Sequence, residues 1–266
     1  MRAMLENVGS FLADYLSASR GDNAFVATSS PERLASCIRK GDVLLVEGTS
    51  RVSTAIKYLT QSTWSHAAIY IGDSIDSTDQ PEEARTLIEA DIIEGVRAIP
   101  LSTYYDQHTR ICRPVGLSDE EVDALIHYLI SRLGDQYDRK NIFDLARYLL
   151  PTPPVPTRWR RTLLQLGSGD PTRAICSSLI AEAFQSIHYP ILPSVVLGES
   201  VGQRERMLYK RHSSLFTPRD FDVSPYFKVI KPMLETGFDY HSIVCWGDPL
   251  LSHVVSPDLP VETDDR

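Results

Sequence analysis

Residues 173–184 read RAICSSLIAEAF and place Cys176 in the opening turn of a largely apolar helix. A loop-forming GSGDP sequence at 167–171 precedes this run. Backbone N–H groups in the first turn of a helix lack intrahelical partners, and they favour a negatively charged thiolate there. Because the thiolate is the nucleophilic form of cysteine, the run predicts that Cys176 is a nucleophile. The alternative is a small buried residue of the core.

A second motif supplies a candidate base for this thiol. Residues 63–73 read TWSHAAIYIGD, which predicts a buried strand with His66 at its start and a Gly-Asp turn at its end. The next predicted strand, 86–90, contains Glu89, a carboxylate that is costly to bury without a partner. If the two strands are neighbours, Glu89 can accept a hydrogen bond from one ring nitrogen of His66. The other nitrogen would then face Cys176, which is the arrangement of a catalytic triad.

Each of these residues also has a structural alternative. His66 could be a hydrogen-bonded histidine at a strand edge, and Glu89 could point to solvent. Asp91 and Glu94 lie close to Glu89 in the sequence and compete with it for the orienting role. The combination with a helix-opening cysteine favours a catalytic site over these alternatives.

Together these motifs resemble the permuted papain-like NlpC/P60 cysteine hydrolases of the YiiX/YebB type. The resemblance extends from about Ile38 to Val229, and it includes a Gly-Asp strand opening near 39–45. In ordinary papain-like enzymes the Cys helix precedes the His strand, whereas here the order is reversed, as a circular permutation would give. The resemblance implies an α+β, circularly permuted papain-like (NlpC/P60) fold. Its mainly antiparallel sheet would pack against the nucleophile helix.

The family's roles carry over by resemblance to individual residues. They imply Cys176 as the nucleophile, His66 as the general base and acid, and Glu89 as the orienting group. The resemblance also places Tyr137 near the cleft, where its phenol could donate to an oxyanion beside the Cys176 backbone N–H. The alternative is that Tyr137 packs a turn. Ser177 and Trp64 are further candidates for oxyanion or substrate binding.

The composition excludes several other classes of protein. The other cysteines, Cys37, Cys112 and Cys245, are scattered without a zinc-binding spacing, so neither a metal nor an organic cofactor is expected. A net charge of −8 argues against a nucleic-acid partner. No run of 18 apolar residues predicts a transmembrane segment, and peripheral membrane contact stays open. No secretory signal is detected, because Glu6 and Asp14 interrupt the apolar residues, which predicts a cytoplasmic location by default.

The predicted domain organisation has three parts. Residues 1–37 form an N-terminal helical extension, 38–230 a permuted NlpC/P60-like catalytic domain, and 231–266 a C-terminal extension whose end is disordered. A Pro- and Arg-rich insert at 151–170 leads towards Cys176. It is either an anion-binding flank of the cleft or a solvated basic loop.

These observations predict a cysteine hydrolase that cleaves an amide, ester or thioester bond through an acyl-thioenzyme. The substrate is of the peptide or lipid acyl type. One alternative is a lipid-directed thiol acyltransferase resembling the lecithin:retinol acyltransferase branch. Another is a non-enzymatic binding module with an inactive triad.

Overall fold

The computed structural model describes residues 27, 29–75, 85–91, 94–135, 175–197, 206–209 and 211–237. Within these ranges the strands are β1 (Val43–Val46), β2 (His66–Tyr70), β3 (Arg85–Asp91), β4 (Gly95–Pro100), β5 (Thr109–Pro114), β6 (Ser194–Leu197), β7 (Arg206–Tyr209) and β8 (Phe227–Ile230). The α-helices are α1 (Pro31–Cys37), α2 (Arg51–Thr60), α3 (Asp119–Ser131), α4 (Ile175–Ser186), α5 (Pro218–Asp222) and α6 (Pro232–Glu235). Short 3₁₀ helices span Leu101–Tyr104 and Ser213–Leu215.

A six-stranded antiparallel sheet forms the centre of the molecule, in the order β4-β3-β2-β1-β5-β8. Its middle strands are nearly continuous apolar runs because both faces of the sheet are covered. Leu45 belongs to a core that the sheet shares with helices α3 and α4. Leu44, the preceding residue, belongs to the core on the other face, with α1 and the 3₁₀ helix that follows β4. Side chains alternate between faces along a strand, so this one sheet supports two cores.

The helix that carries Cys176, α4, packs against strands β2 and β3. Its buried residues include Leu179, Ile180 and Phe184, all of which lie in the core shared with α3. An antiparallel sheet packed against this helix confirms the predicted α+β architecture.

Helix α3 begins as the sequence predicts. Ser118 is its N-cap, and Ser118 and Glu121 form the reciprocal hydrogen bonds of a capping box. The regular helix ends at Ser131, slightly before Gly134, which has a φ of 86°. The chain turns between these two residues, so Gly134 closes the turn after the helix rather than the helix itself.

Helices α1 and α6 come from opposite ends of the described chain and pack against each other. Leu34 of α1 lies in the same core as Ile230 of β8, the strand directly before α6. The segments on either side of the predicted 38–230 domain therefore meet at one edge of the sheet.

Two further observations complete the fold. The small two-stranded sheet of β6 and β7 is not predicted by the sequence. Residues 1–26 of the predicted N-terminal extension, the insert at 151–170 and residues 238–266 of the predicted C-terminal extension lie outside the described residues. Among the described helices, none has the length and apolar character needed to cross a membrane.

Candidate active site

His66 and Glu89 meet on one face of the sheet. His66 opens β2, and Ala68 of the same strand lies directly opposite Glu89 of β3. Residues two apart in a strand share a face, so the imidazole and the carboxylate are diagonal neighbours. The Nε2 atom of His66 lies 2.7 Å from Oε2 of Glu89, whose side chain is only 1% exposed. The hydrogen bond predicted between these residues is therefore present.

Cys176 is the second residue of α4, in the turn where backbone N–H groups lack helical partners. Its side chain is buried and makes a hydrogen-bonding and electrostatic contact with His66. Because Glu89 occupies Nε2 of the imidazole, Nδ1 is the ring nitrogen that remains for the sulfur. His66 thus lies between a thiol and a carboxylate.

The electrostatic interactions in this cluster favour the ionised forms of His66 and Glu89. Burial opposes the imidazolium, but the charges of Cys176 and Glu89 raise the pKa of His66 well above its usual value. Burial would raise the pKa of Glu89, yet His66, Tyr104 and Arg97 together lower it to about 2. Ionised Glu89 and protonated His66 stabilise each other in this buried setting.

Two partners of Glu89 are missed by the sequence analysis. Arg97 lies directly opposite Glu89 on β4 and donates to Oε1 from Nε at 2.8 Å and from Nη2 at 2.7 Å. The hydroxyl of Tyr104 donates to Oε2, the same oxygen that His66 contacts. The cross-strand register would have identified Arg97, but a single sequence does not specify that register.

The two competing carboxylates have different partners. Asp91 lies 3.6 Å from Nη2 of Arg97, and Glu94 lies 2.9 Å from Nη1 of the same guanidinium. Asp91 also accepts a hydrogen bond from the backbone N–H of Glu94. Glu89 is thus the carboxylate that contacts His66, while the other two surround Arg97.

The remaining predicted site residues are Ser177, Trp64 and Tyr137. The hydroxyl of Ser177 is fully buried and donates to the Phe216 carbonyl at 2.7 Å. Trp64 is also buried, and its Nε1 donates to Asp222 at 3.1 Å. Both side chains are hydrogen-bonded within the protein. Their role in oxyanion or substrate binding stays a prediction. Tyr137 lies outside the described residues.

A second histidine cluster lies at the same end of the sheet as His66 and is also missed by the sequence analysis. Glu47 follows β1, and its carboxylate contacts Nδ1 of His108 and Nζ of Lys57, each at 3.0 Å. The ring of His108 packs edge-on against Trp64, with 5.0 Å between centroids. The guanidinium of Arg110 covers Trp64. We call this group the Glu47–His108 cluster.

A cavity of about 530 Å³ lies beside this second cluster. Its lining residues combine both charges with two apolar side chains: Arg110, Asp222, Val229, Lys231, Leu234 and Glu235. Arg110 and Asp222 are already paired with each other, at 2.8 Å. Within the described ranges, no group of three or more His, Cys, Asp or Glu residues is arranged to hold a metal ion.

Comparison with known families shows which class of protein a part of this chain resembles. Residues 37–148 match the model of a family described as permuted papain-like amidase enzymes, YaeF/YiiX, C92 family. This stretch includes His66 and Glu89 and ends before Cys176. The matched stretch is less than half of the chain, and its similarity to this family agrees with the observed α+β fold. Over these residues the chain is similar to the YiiX-type family that its motifs resemble.

Among solved structures, the metalloprotein yiiX from Escherichia coli O157:H7 is similar to this chain at 15% sequence identity and a TM-score of 0.42. The alignment covers 72% of this chain and 96% of that one. The comparison with curated proteins gives no match. The matched family is one of amidases, so a hydrolase of the papain-like class is supported at that general level.

Proposed function

We propose that this protein is a cysteine hydrolase that cleaves an amide, ester or thioester bond through an acyl-thioenzyme. Cys176 is the nucleophile, His66 is the general base and acid, and Glu89 orients the imidazole. The observation that carries the proposal is the position of His66, which contacts the thiol on one side and a buried carboxylate on the other. The family match supports the hydrolase class, and peptide and lipid acyl groups are the two substrate types under test.

The chemistry follows from this arrangement. The Cys176 thiolate attacks the carbonyl carbon of the substrate, and the carbonyl π bond becomes an oxyanion. The oxyanion accepts a hydrogen bond from the Cys176 backbone N–H in the first turn of α4. His66 then donates its Nδ1 proton to the leaving amine, alcohol or thiol as the carbon–heteroatom bond breaks. Neutral His66 accepts a proton from water, which attacks the thioester and releases the acid and the thiolate.

The first experiment measures the reactivity of Cys176 directly. Iodoacetamide labelling near neutral pH, read by peptide mass spectrometry, compares Cys176 with Cys37 and Cys112 in the same sample. Burial raises the pKa of the Cys112 thiol, and Cys37 is partly exposed, so the two are internal references for a buried and an accessible thiol. We expect Cys176 to react fastest and His66→Ala to remove that advantage. Equal rates at Cys176 and Cys37 would reject the enzyme and favour an inactive binding module.

The second experiment identifies the bond and the fate of the acyl group. Purified protein and Cys176→Ala are incubated with matched amide, ester and thioester probes that carry either a peptide or a long acyl chain. Release of free acid by the native protein alone supports hydrolysis. Transfer to an added alcohol or amine, with no free acid, would replace hydrolysis with acyl transfer. Turnover by Cys176→Ala would contradict both.

A further inference from the structure

We propose that Arg97 and Tyr104 are positioning residues that hold Glu89 in one orientation, as a carboxylate, for His66. This inference rests on the proposed function, because it concerns the residue that orients the proposed base. The two residues lie on β4 and on the 3₁₀ helix directly after it, so one short segment supplies both contacts.

Both oxygens of the Glu89 carboxylate are occupied by hydrogen-bond donors. Oε1 accepts from Nε and Nη2 of Arg97, while Oε2 accepts from His66 and from the hydroxyl of Tyr104. A carboxylate held at both oxygens cannot rotate without breaking charge-assisted hydrogen bonds. The oxygen that faces His66 is therefore fixed from two sides.

Arg97 is itself held in place by carboxylates. It pairs with Glu89 across the antiparallel register of β3 and β4, and its outer nitrogens face Glu94 at 2.9 Å and Asp91 at 3.6 Å. Because its planar guanidinium has donors in a fixed fork, these contacts restrict its orientation as well as its position. Lysine, a point charge on a flexible stem, would supply the charge without this geometry.

Tyr104 contributes a neutral donor from the buried side. Its ring lies 6.1 Å from the ring of His66 and packs in the core with Leu101 and Ile99. Burial and the charge of Glu89 both raise the pKa of the phenol, so it keeps its proton and donates at neutral pH. The hydroxyl thus stabilises a negative charge on the oxygen that contacts His66.

These two donors counter the effect of burial on Glu89. A carboxyl group that is 1% exposed would favour its neutral form if it had no partners. A protonated Glu89 would no longer stabilise the imidazolium of His66 on the acid side of the pH profile. The expected signature of both residues is therefore a change in the pH at which Glu89 titrates, rather than a simple loss of stability.

The test follows two readouts in the native protein and in Arg97→Gln, Arg97→Lys and Tyr104→Phe. The first is the midpoint of Glu89 protonation, from carboxyl ¹³C chemical shifts assigned with Glu89→Gln. The second is the rate of Cys176 alkylation by iodoacetamide between pH 4 and pH 9. We expect Arg97→Gln to raise the Glu89 midpoint by about 1–3 pH units, the usual effect of a neighbouring opposite charge, and to slow alkylation on the acid side. Tyr104→Phe should raise the Glu89 midpoint by less than Arg97→Gln does. Arg97→Lys keeps the positive charge, so its Glu89 midpoint should lie between those of Arg97→Gln and the native protein.

Lys57→Gln is the matched control, because Lys57 is the cation beside the Glu47–His108 pair. It should leave the Glu89 midpoint and the Cys176 profile unchanged. Folded Arg97→Gln and Tyr104→Phe with native Glu89 midpoints would overturn the inference; if Arg97→Gln does not fold, Tyr104→Phe decides alone. A different result separates the two proposals. If Cys176 of the native protein is alkylated no faster than Cys37, the proposed function is rejected. If the midpoint of Glu89 protonation still rises in Arg97→Gln, the control of Glu89 by Arg97 is supported all the same.

Discussion

The two histidine clusters at this end of the sheet have nearly the same composition. In each, an imidazole contacts a buried glutamate, and a half-buried cation neutralises that glutamate: His66, Glu89 and Arg97 in one, and His108, Glu47 and Lys57 in the other. The difference is what the imidazole meets on its other side. His66 contacts the thiol of Cys176, whereas the ring of His108 packs edge-on against a tryptophan.

This difference shows that a histidine and a carboxylate do not by themselves define a catalytic site. Buried carboxylates need partners wherever they occur, and histidine and lysine or arginine supply them in both clusters. The proposed reactive element is the thiol of Cys176 at a helix N-terminus, and among the described residues it belongs to the first cluster alone. Matched substitutions in the two clusters therefore test the assignment.

The largest contrast is expected between the two histidines. His66→Ala should lower kcat/KM by about 10³-fold or more, because it removes both proton transfer and the charge partner of the thiolate. His108→Ala should change kcat/KM by less than about fivefold, as expected for a residue outside the reaction. Both kcat/KM values are measured by steady-state kinetics with the substrate probe that the product-analysis experiment identifies. Equal losses in the two variants would contradict the distinction between the clusters.

A smaller contrast is expected between the two glutamates. Glu89→Gln keeps the shape of the side chain but removes the charge that stabilises protonated His66. We expect kcat/KM to fall by about 10- to 100-fold, within the range that a lost charge partner can produce. In Glu47→Gln, the matched variant of the other cluster, kcat/KM should stay close to the native value. The pH dependence of kcat/KM shows whether the pKa of His66 is lower in Glu89→Gln than in the native protein. An unchanged pKa of His66 would reject the charge effect.

The free energy of unfolding should depend on pH through the ionisation of Glu89. Its pKa is lowered from 4.5 to about 2 in the folded state. A lowered carboxyl pKa stabilises the folded protein above the unfolded value, and that contribution decreases as the pH falls from about 4.5 towards 2. The full contribution is about 3 kcal/mol at most. Urea unfolding measures how much the free energy of unfolding falls between pH 5.5 and pH 3. This fall should be smaller in Glu89→Gln than in the native protein, and an equal fall would contradict the assignment.

The smallest effect is expected at Trp64. Trp64→Phe keeps an aromatic ring beside His108 but removes the hydrogen bond to Asp222. We expect a loss of about 1–2 kcal/mol in the free energy of unfolding, since Asp222 keeps its pair with Arg110. The kcat/KM should stay within about threefold of the native value. A large rise in KM without a loss of stability would support the substrate-binding role that the sequence predicts for this residue.

Local patterns in the sequence are sufficient to predict much of this fold. The strands Gly95–Pro100 and Thr109–Pro114 and the capped start of α3 follow directly from apolar periodicity and turn residues. The pairing of His66 with Glu89 also follows, because it joins strands that are consecutive in the chain and adjacent in the sheet.

Contacts that depend on register or on distant segments are not predicted. Arg97 contacts Glu89 only because β3 and β4 pair in one particular register, and a shift by one residue would turn the guanidinium to the opposite face. The bond between Trp64 and Asp222 joins residues far apart in the sequence, and no local signal connects them. For the same reason, the sequence predicts that Trp64, which lies close to His66 in the chain, binds substrate, and it does not indicate that this side chain is buried.

The packing of α1 against α6 offers a way to change the order of the proposed site residues along the chain. Proteins whose ends lie close together commonly tolerate new termini elsewhere. A short linker from the end of α6 to the start of α1, with the chain opened between residues 135 and 175, would place Cys176 ahead of His66. Such a chain would have the Cys-before-His order of ordinary papain-like enzymes, and the new opening would not interrupt any described strand.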